Sequence, residues 1–536
     1  MFARIKRGGN KAHPHDYLCL VEAYRDAGKP KHRVLANLGR LDGLLETGQL
    51  DSLIQSLARF SQHVRVLSSA RLPQVSRCQA RLWGPPLVFA RLWERQGIGQ
   101  ILHRLAARRH FKFDVERVVF AMALQRLCRP GSDLQGCLWA QGVEAPGFED
   151  LELQHFYRTA AFLCEVRQDL EHQLFLRDRD LFSQELDLLL IDTTSLYVYR
   201  DEETAWRRRG YSRDRRPDLP QWVLAVAVDR HGWPVAWELF PGNTVDRNAL
   251  VGMIGLLRER FQIRRVIVVA DRAMISRGLI ALLTESEEAP LEYILGCKLR
   301  AAGEVPREVL RRAGRYHPVA ENLDVKEVGV EGRRYIVCRN PEDAMKDAAT
   351  RAAILDQLKE QIRRAPREMV GNQGFKRFVR VDPGGVQINP AAVKTDARLD
   401  GKFVLRTNTD LSPEEVAQTY KSLWRVERTF REEKSTLAIR PIFHRLDETS
   451  IGHIVAAFLA LRLEVHLQRA LDEKGVEVSW PELMQDMGHV QAVYLTFEGQ
   501  PWRIRTDLAG SAHAAFEAAG VRPPERVTPL PAEGHA

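Results

Sequence analysis

Cysteine is scarce and scattered. Seven of the 536 residues are Cys, an odd number, and no CxxC pair occurs. This disfavours a secreted disulfide framework and a thiolate zinc site, and a reducing compartment is expected. The sequence also lacks GxxxxGK[ST]: the glycine pairs beginning at Gly8 and Gly384 have no such lysine behind them, so ATP-driven chemistry has no support. Its 16 His are dispersed rather than clustered. No apolar run is long enough for a membrane. The greasiest stretch, IVAAFLALRLEVHL from Ile454, is broken by Arg462 and Glu464 well short of about 20 residues. The opening, MFARIKRGGNKAHPHDY, has no apolar segment behind it, so no signal peptide is expected. Internal repeats and low-complexity tracts are absent. A cytoplasmic protein without membrane contact is the expectation.

What is present is an ordinary globular composition, 45% hydrophobic and 28% charged. The mass of 61.2 kDa suits three to four domains. A net charge of +9 is a mild pointer to a polyanionic partner.

The texture changes along the chain. Residues 1–75 form a basic region. The first 40 residues hold nine Lys/Arg against three Asp/Glu, and YLCLVEAYR and HRVLANLGR read as strands joined by DAGKPK. Residues 76–180 read as helices with apolar positions three and four apart, a helical scaffold or a DNA-binding domain. From Leu186 a mixed α/β pattern begins: LDLLLID, QWVLAVAVD and PVAWELF as strands, NALVGMIGLLRERF as a helix, then RRVIVVAD and LEYILGCKL as strands. Residues 301–400 read as a strand-rich insertion with one polar helix. The α/β pattern then resumes with GKFVLRTN and a long helix from Ser412 to about Thr436. The predicted core is thus 181–300 with 401–470, and 471–536 is a C-terminal extension whose Pro-rich end should fray.

Two carboxylates stand out because each ends an apolar strand run: Asp192 after LLLI and Asp271 after IVVA. Open α/β sheets place ligands at the carboxyl ends of their strands, although either Asp can equally be a helix cap or turn former. Two such acids brought together repel, and a bridging cation relieves them. A third acid is sought on the helix from Ser412. There Tyr420, Glu427 and Lys434 stand seven apart, nearly on one face two turns from each other. Glu427 also lies about one turn from Trp424, near the apolar stripe, where a carboxylate needs a partner.

Taken together, DTTSLYVY, GYSRDRRPDLPQWVLAVAVDRHGWPVAWELFPGNTVD, VVADRAMIS and YKSLWRVERTFREEKSTLAIRPIFHR resemble the bacterial DDE insertion-sequence transposases. The likeness is to the insertion-sequence-four superfamily, in its long-chain branch with a Tyr-Arg-Glu-Lys signature, and it covers most of residues 180–470. It implies an RNase H-like mixed-sheet catalytic core, interrupted by the strand-rich insertion and preceded by the basic hairpin and helical region. Carried over by residue, Asp192, Asp271 and Glu427 match the three acids, as catalytic residues and metal ligands. Tyr420 and Lys434 match the signature Tyr and Lys. The signature Arg should stand three residues after Tyr420, where this chain has Leu423, and Arg425 is its nearest stand-in.

The chemistry implied is phosphodiester cleavage and transfer. Two divalent cations on oxygen ligands activate the nucleophile and stabilise the leaving oxygen. Three carboxylates suit Mg²⁺, with Mn²⁺ as substitute. DNA is the implied partner, as terminal inverted repeats and as target, with a homodimer assembled on it in the bacterial cytoplasm at the nucleoid. The arginines of RDEETAWRRRGYSRDRR, among them Arg207, Arg208, Arg209 and Arg215, and those of the last helix, including Arg428, fit a phosphate track, a solvated face being the alternative. Trp206 and Tyr211 are candidates for stacking on an unpaired base; Trp222 suits the core better. In the insertion, Arg333, Arg334 and Lys376 are further candidate phosphate contacts. The favoured function is a transposase that binds element ends, cleaves them and joins them to target DNA. The alternatives are an RNase H-like nuclease without strand transfer and an inactive DNA-binding repressor.

Overall fold

The computed structural model describes residues 1–8, 15–26, 29–60, 75–182, 189–229, 232–261, 267–270, 292–299, 304–364, 377–382, 385–422, 437–497 and 500–531. The chain forms two compact units. One comprises Met1–Gln79, Tyr494–Arg503 and Thr528–Ala536; the other comprises Ala80–Val493 and Ile504–Val527.

In the first unit β1 (Phe2–Gly8), β2 (His15–Asp26) and β3 (Lys29–Arg40) form an antiparallel sheet with β2 in the centre. Cys19 and Val21 of β2 are buried, as is Leu44 of α1 (Leu41–Glu46), which precedes α2 (Gln49–Ala58). The exposed positions carry cross-strand ion pairs, Arg33 to Glu22 at 2.7 Å and Lys31 to Asp26 at 2.5 Å. The expected hairpin is therefore present, and β1 adds a third strand. Its sequence FARIKRG is too charged and short to announce itself.

The strand β4 (Val75–Leu82) carries the chain into the second unit, which begins with five helices: α3 (Gly84–Arg95), α4 (Ile98–Ala106), α5 (Val115–Cys128), α6 (Asp133–Ala140) and α7 (Leu153–Phe182). The α5 helix is buried almost all round, which its VVFAMAL centre permits, and Asp114 caps it by accepting from the Glu116 and Arg117 amides. A reciprocal capping box between Ser132 and Gln135 starts α6.

The sheet follows. β5 (Leu189–Tyr197), β6 (Gln221–Asp229) and β7 (Pro234–Pro241) are antiparallel. β8 (Ile267–Ala270) lies beside β5 and runs parallel to β9 (Glu292–Gly296). From β9 the ladder continues antiparallel through β15 (Lys402–Thr407), β12 (Arg333–Arg339), β11 (Leu323–Val330) and β10 (His317–Ala320). One face of the central strands, with Ile191, Ala225 and Val268, packs on α8 (Asp246–Phe261) and on Phe175 of α7. The other face, with Leu190, Leu224, Val226 and Val269, packs into a core shared with the long apolar helix α12 (Asp447–Asp472). Strands covered on both sides are mostly apolar, as β6 and β8 are along most of their length.

Between β12 and β15 the chain makes an excursion: α9 (Pro341–Arg364), a hairpin of β13 (Val379–Asp382) and β14 (Gly385–Ile388), and α10 (Pro390–Ala397). Its ends meet where Asn340 N–H donates to Gly401 O at 2.7 Å. It has a small core of its own around Leu358 and Phe378. The predicted insertion 301–400 is thus of two kinds, β10–β12 extending the main sheet and residues 341–400 forming the excursion. Arg334 does not stand free for phosphate: it donates to the Thr409 and Leu411 carbonyls and pairs with Glu327. Lys376 lies outside the described residues.

Two expectations are corrected. LDLLLID was read as a strand ending in its acid, but β5 runs on through Thr193, Thr194 and Ser195 to Tyr197, paired with β6 along its length. The β-branched and small residues after the acid sit well in a pleated ladder. The tail does not fray after Leu508, because α14 (Ala512–Ala519) buries Ala512, Ala515, Phe516 and Ala519, and its small side chains let it pack closely on α3 and α12; α14 follows α13 (Trp480–Gly488) in chain order.

Opposite charges tie these layers together. Arg462 of α12, 1% exposed, donates to both Asp178 oxygens at 2.9 and 3.0 Å, to Gln96 Oε1 and to Pro234 O, and lies over the Trp233 ring. By length and composition α12 could cross a membrane, yet 94% of its apolar window is buried within the protein.

Candidate functional site

Asp192 is the fourth residue of β5, opposite Val226 of β6. Beside it, β8 ends at Ala270, whose register partner is Leu295. Asp271 is the next residue in sequence and lies outside the described residues, as do Arg425, Glu427, Arg428 and Lys434.

The helix leading to those last four is described at its start. Ser412 caps α11 (Pro413–Lys421) in a reciprocal box with Glu415, with Pro413 at the first helical position. Tyr420, on its last turn, stacks on Phe403 of β15, ring centroids 5.8 Å apart. Its hydroxyl lies so close to Gly296, the last residue of β9, that a Cβ there would collide with it. Tyr420 is thereby held at the same strand ends at which Ala270 pairs with Leu295.

The arginine-rich loop before β6 is folded against β5. Arg213 is its anchor: its main-chain N–H donates to Ser195 Oγ at 3.0 Å, and its guanidinium to Thr193 Oγ1 at 2.9 Å and to Asp246 at 2.8 Å. Thr193 in turn donates to Asp246 at 2.9 Å. The loop is thus pinned to Thr193 and Ser195, one and three positions after Asp192 in the chain. Sequence reading missed Arg213, since nothing in its spacing distinguishes it from six other arginines of Arg200–Arg216. Gly242, where the loop crosses the end of β7, leaves no room for a Cβ against the Gln221 and Arg208 carbonyls.

The predicted loop contacts divide. Arg207 faces inward, 3% exposed, paired with Asp447 at 2.6 Å and donating to Arg445 O at 2.8 Å. It is placed to hold two segments together, not to meet a phosphate. Arg208 and Arg209 are exposed and share Glu203, and the backbone N–H of Arg209 donates to that same carboxylate at 2.8 Å, which holds Glu203 below the usual carboxylate range. Arg215 is exposed, in a left-handed backbone conformation, φ 58°. Tyr211 is 86% exposed and Trp206 37%, while Trp222 is fully buried on β6.

The free cysteines are dispersed over the fold, three of them buried. Among the described residues one group, His103, Asp114 and Glu116, brings potential metal ligands together. It sits on the helical layer and is occupied: Asp114 caps α5, and Glu116 accepts from Trp93 Nε1 and pairs with Arg117.

The family described as Transposase DDE domain matches residues 183–463, just over half of the chain, and that described as IS1634 family transposase, N-terminal domain, matches residues 3–70. No curated protein matches the chain.

Proposed function

Because the chain belongs to the DDE transposases, metal-dependent enzymes that cleave DNA, we propose that it binds the ends of an insertion sequence, cuts them and joins them to target DNA. The observation that carries this reading is Asp192 on β5, beside β8, whose last residue immediately precedes Asp271, both inside the matched segment. The strand order β7–β6–β5–β8–β9 supports an RNase H-like core in residues 181–300 and 401–470, with 1–75, 76–180, 301–400 and 471–536 around it. We assign the chain to the long-chain branch of the insertion-sequence-four superfamily.

In this reading Asp192, Asp271 and Glu427 hold two Mg²⁺ ions, or Mn²⁺ in their place, which when bound supply an activated oxygen nucleophile and a stabilised leaving oxygen. Tyr420, fixed by Phe403 and Gly296 at the strand ends, orients the scissile strand through its hydroxyl. Arg425, Arg428 and Lys434 hold flanking phosphates. Arg208, Arg209 and Arg215 present charge from the loop that Arg213 fastens to β5, while Arg207 braces that loop from within. The protein acts as a homodimer on terminal inverted repeats, in the cytoplasm at the nucleoid.

Replacing Asp192 or Asp271 by Asn, or Glu427 by Gln, removes a ligand charge but little volume. Each should abolish Mg²⁺-dependent cleavage of a duplex carrying the element's end while leaving gel-shift affinity for that end nearly intact. Ca²⁺ should support binding without cleavage, since it relaxes the octahedral geometry. Cleavage near the normal rate by any of the three would remove that residue from the site. Supplying pre-cut ends separates the alternative: joining marks a transposase, and hydrolysis alone a nuclease.

A further inference from the structure

The second unit contains a cavity of about 900 Å³ between the start of α6 and residues 438–449, and none of its lining residues lies on β5 or β8. Its volume falls within the roughly 300–1,000 Å³ of small-molecule sites. Four arginines line it, Arg126, Arg200, Arg440 and Arg445, against one acid, Asp133, among the described residues. Two arginines are committed elsewhere: Arg440 pairs with Asp214 at 2.9 Å, and Arg126 donates to Gly131 O and His453. The other two, Arg200 and Arg445, are exposed at the rim. Arg200 spends one nitrogen on Phe443 O at 3.3 Å, and the Arg445 guanidinium has no partner among the described residues. The rim therefore offers cationic donors to an anion.

The floor asks for the opposite. Asp133 is 3% exposed, and its Oδ2 accepts no hydrogen bond among the described residues; the His444 imidazole Nε2 lies 3.8 Å away. A buried acceptor left without a donor is costly and is met by one brought in by a ligand. Burial pushes the Asp133 carboxyl up and the His444 imidazole down, so a neutral donor suits this floor better than a second charge. A metal ion does not fit. His453 Nδ1 accepts from Arg126 and its Nε2–H donates to Ile439 O, so neither nitrogen is open, and the Arg126 cation adjoins it. At the mouth stand two aromatic rings with much of their surface in solvent, Tyr157 (45%) and Phe443 (54%).

An anion held at the rim, a flat ring against the aromatics and an N–H or O–H donor at the floor are the parts of one ligand class. We propose that this cavity binds a nucleoside phosphate, its phosphate on Arg445 and Arg200, its base against Tyr157 and Phe443, and a donor of the base or sugar on Asp133. The ligand chemistry is the same for a free nucleotide and for an unpaired nucleotide of a DNA strand. Only the second source rests on the DNA-cleaving reading above.

The test uses the full chain without added metal. Calorimetric titration with the four 2′-deoxynucleoside 5′-monophosphates, and with inorganic phosphate, reads the free source. Photocrosslinking of a duplex with one unpaired 5-iodouracil nucleotide, against the same duplex fully paired, reads the DNA source. Binding in either arm that weakens tenfold or more in both Arg445→Ala and Asp133→Asn, with unchanged circular dichroism, supports the site. A crosslink at Tyr157 or Phe443 confined to the unpaired duplex assigns it to DNA. Absence of binding in both arms overturns the proposal, as does binding unchanged in either variant, or inorganic phosphate binding as tightly as the monophosphates. Monophosphate binding by a chain that fails to bind duplex ends would leave the cavity standing and the transposition reading fallen.

Discussion

Arg462 and Asp178 form a charged pair whose arginine is almost wholly withdrawn from water, with Gln96 and Pro234 O completing its donors. Removing one partner strands the other, so Asp178→Asn should cost about 3–5 kcal/mol in urea denaturation. A loss under about 1 kcal/mol would mean that water replaces the carboxylate. A second buried acid, Glu171, accepts from the Trp237 amide and pairs with Arg260 at 2.8 Å, yet burial prevails and pushes it up to about 7 from 4.5. The folded protein then keeps a proton that the unfolded chain has released. This group's stabilisation is full below pH 4.5 and is lost as pH rises to 7. His453, held neutral by burial, and His466, pushed down to about 4, act with the opposite sign, costing stability as pH falls below 6.5. The contribution of Glu171 is therefore isolated by difference. Between pH 4.5 and 7 the wild type should lose stability relative to Glu171→Gln, and parallel profiles would refute the shift.

Among elements, α7 and α12 cross in close backbone contact. Gly452 lies directly on the Ala160 main chain, and a Cβ at that position would overlap the Ala160 carbonyl. Gly452→Ala should destabilise by about 1–3 kcal/mol, despite the better helix propensity of alanine, because two backbones must part. Urea midpoints check it, and a stabilised variant would show that the helices separate freely. How much of this was legible in the sequence depended on what each element faces. β6 was read to its residue limits because QWVLAVAVD is buried on both faces and bounded by turn residues. The acid of β5 was found but placed at a strand end, since an Asp after an apolar run looks like a stop until β6 is known to pair beyond it. The tail was misread because an alanine helix carries no strong apolar stripe, although its small side chains are what let it dock. In the candidate site, Asp192, Tyr420 and the exposed arginines were visible as types and spacings. The inward turn of Arg207 and the anchoring by Arg213 were not, because both depend on acids, Asp447 and Asp246, far away in sequence.

For the molecule as a whole, the excursion between β12 and β15 is separable. Arg339 pairs with Lys402 in register, and the next residues, Asn340 and Gly401, already share a hydrogen bond, with Gly401 at φ 61°. Deleting residues 341–400 would fuse them into Asn-Gly, the two-residue loop favoured for a tight hairpin, closing β12 directly on β15. The shortened chain should fold cooperatively and keep the far-ultraviolet signature of the sheet; aggregation on expression would show that the excursion supports the core. No such excision is available at α12. It fills the core between the sheet and helices α5 and α7, and Arg462 joins it to Gln96, Asp178 and Pro234. Yet it is among the last parts of the chain to be made. At about 5–20 residues per second, roughly 15–50 s of synthesis separate the end of α7 from the start of α12. Throughout that interval the nascent helical layer has an open apolar seam, so the protein reaches its final form at the close of translation, and its earlier segments depend on the ribosome and its attendant chaperones to stay unassociated until then.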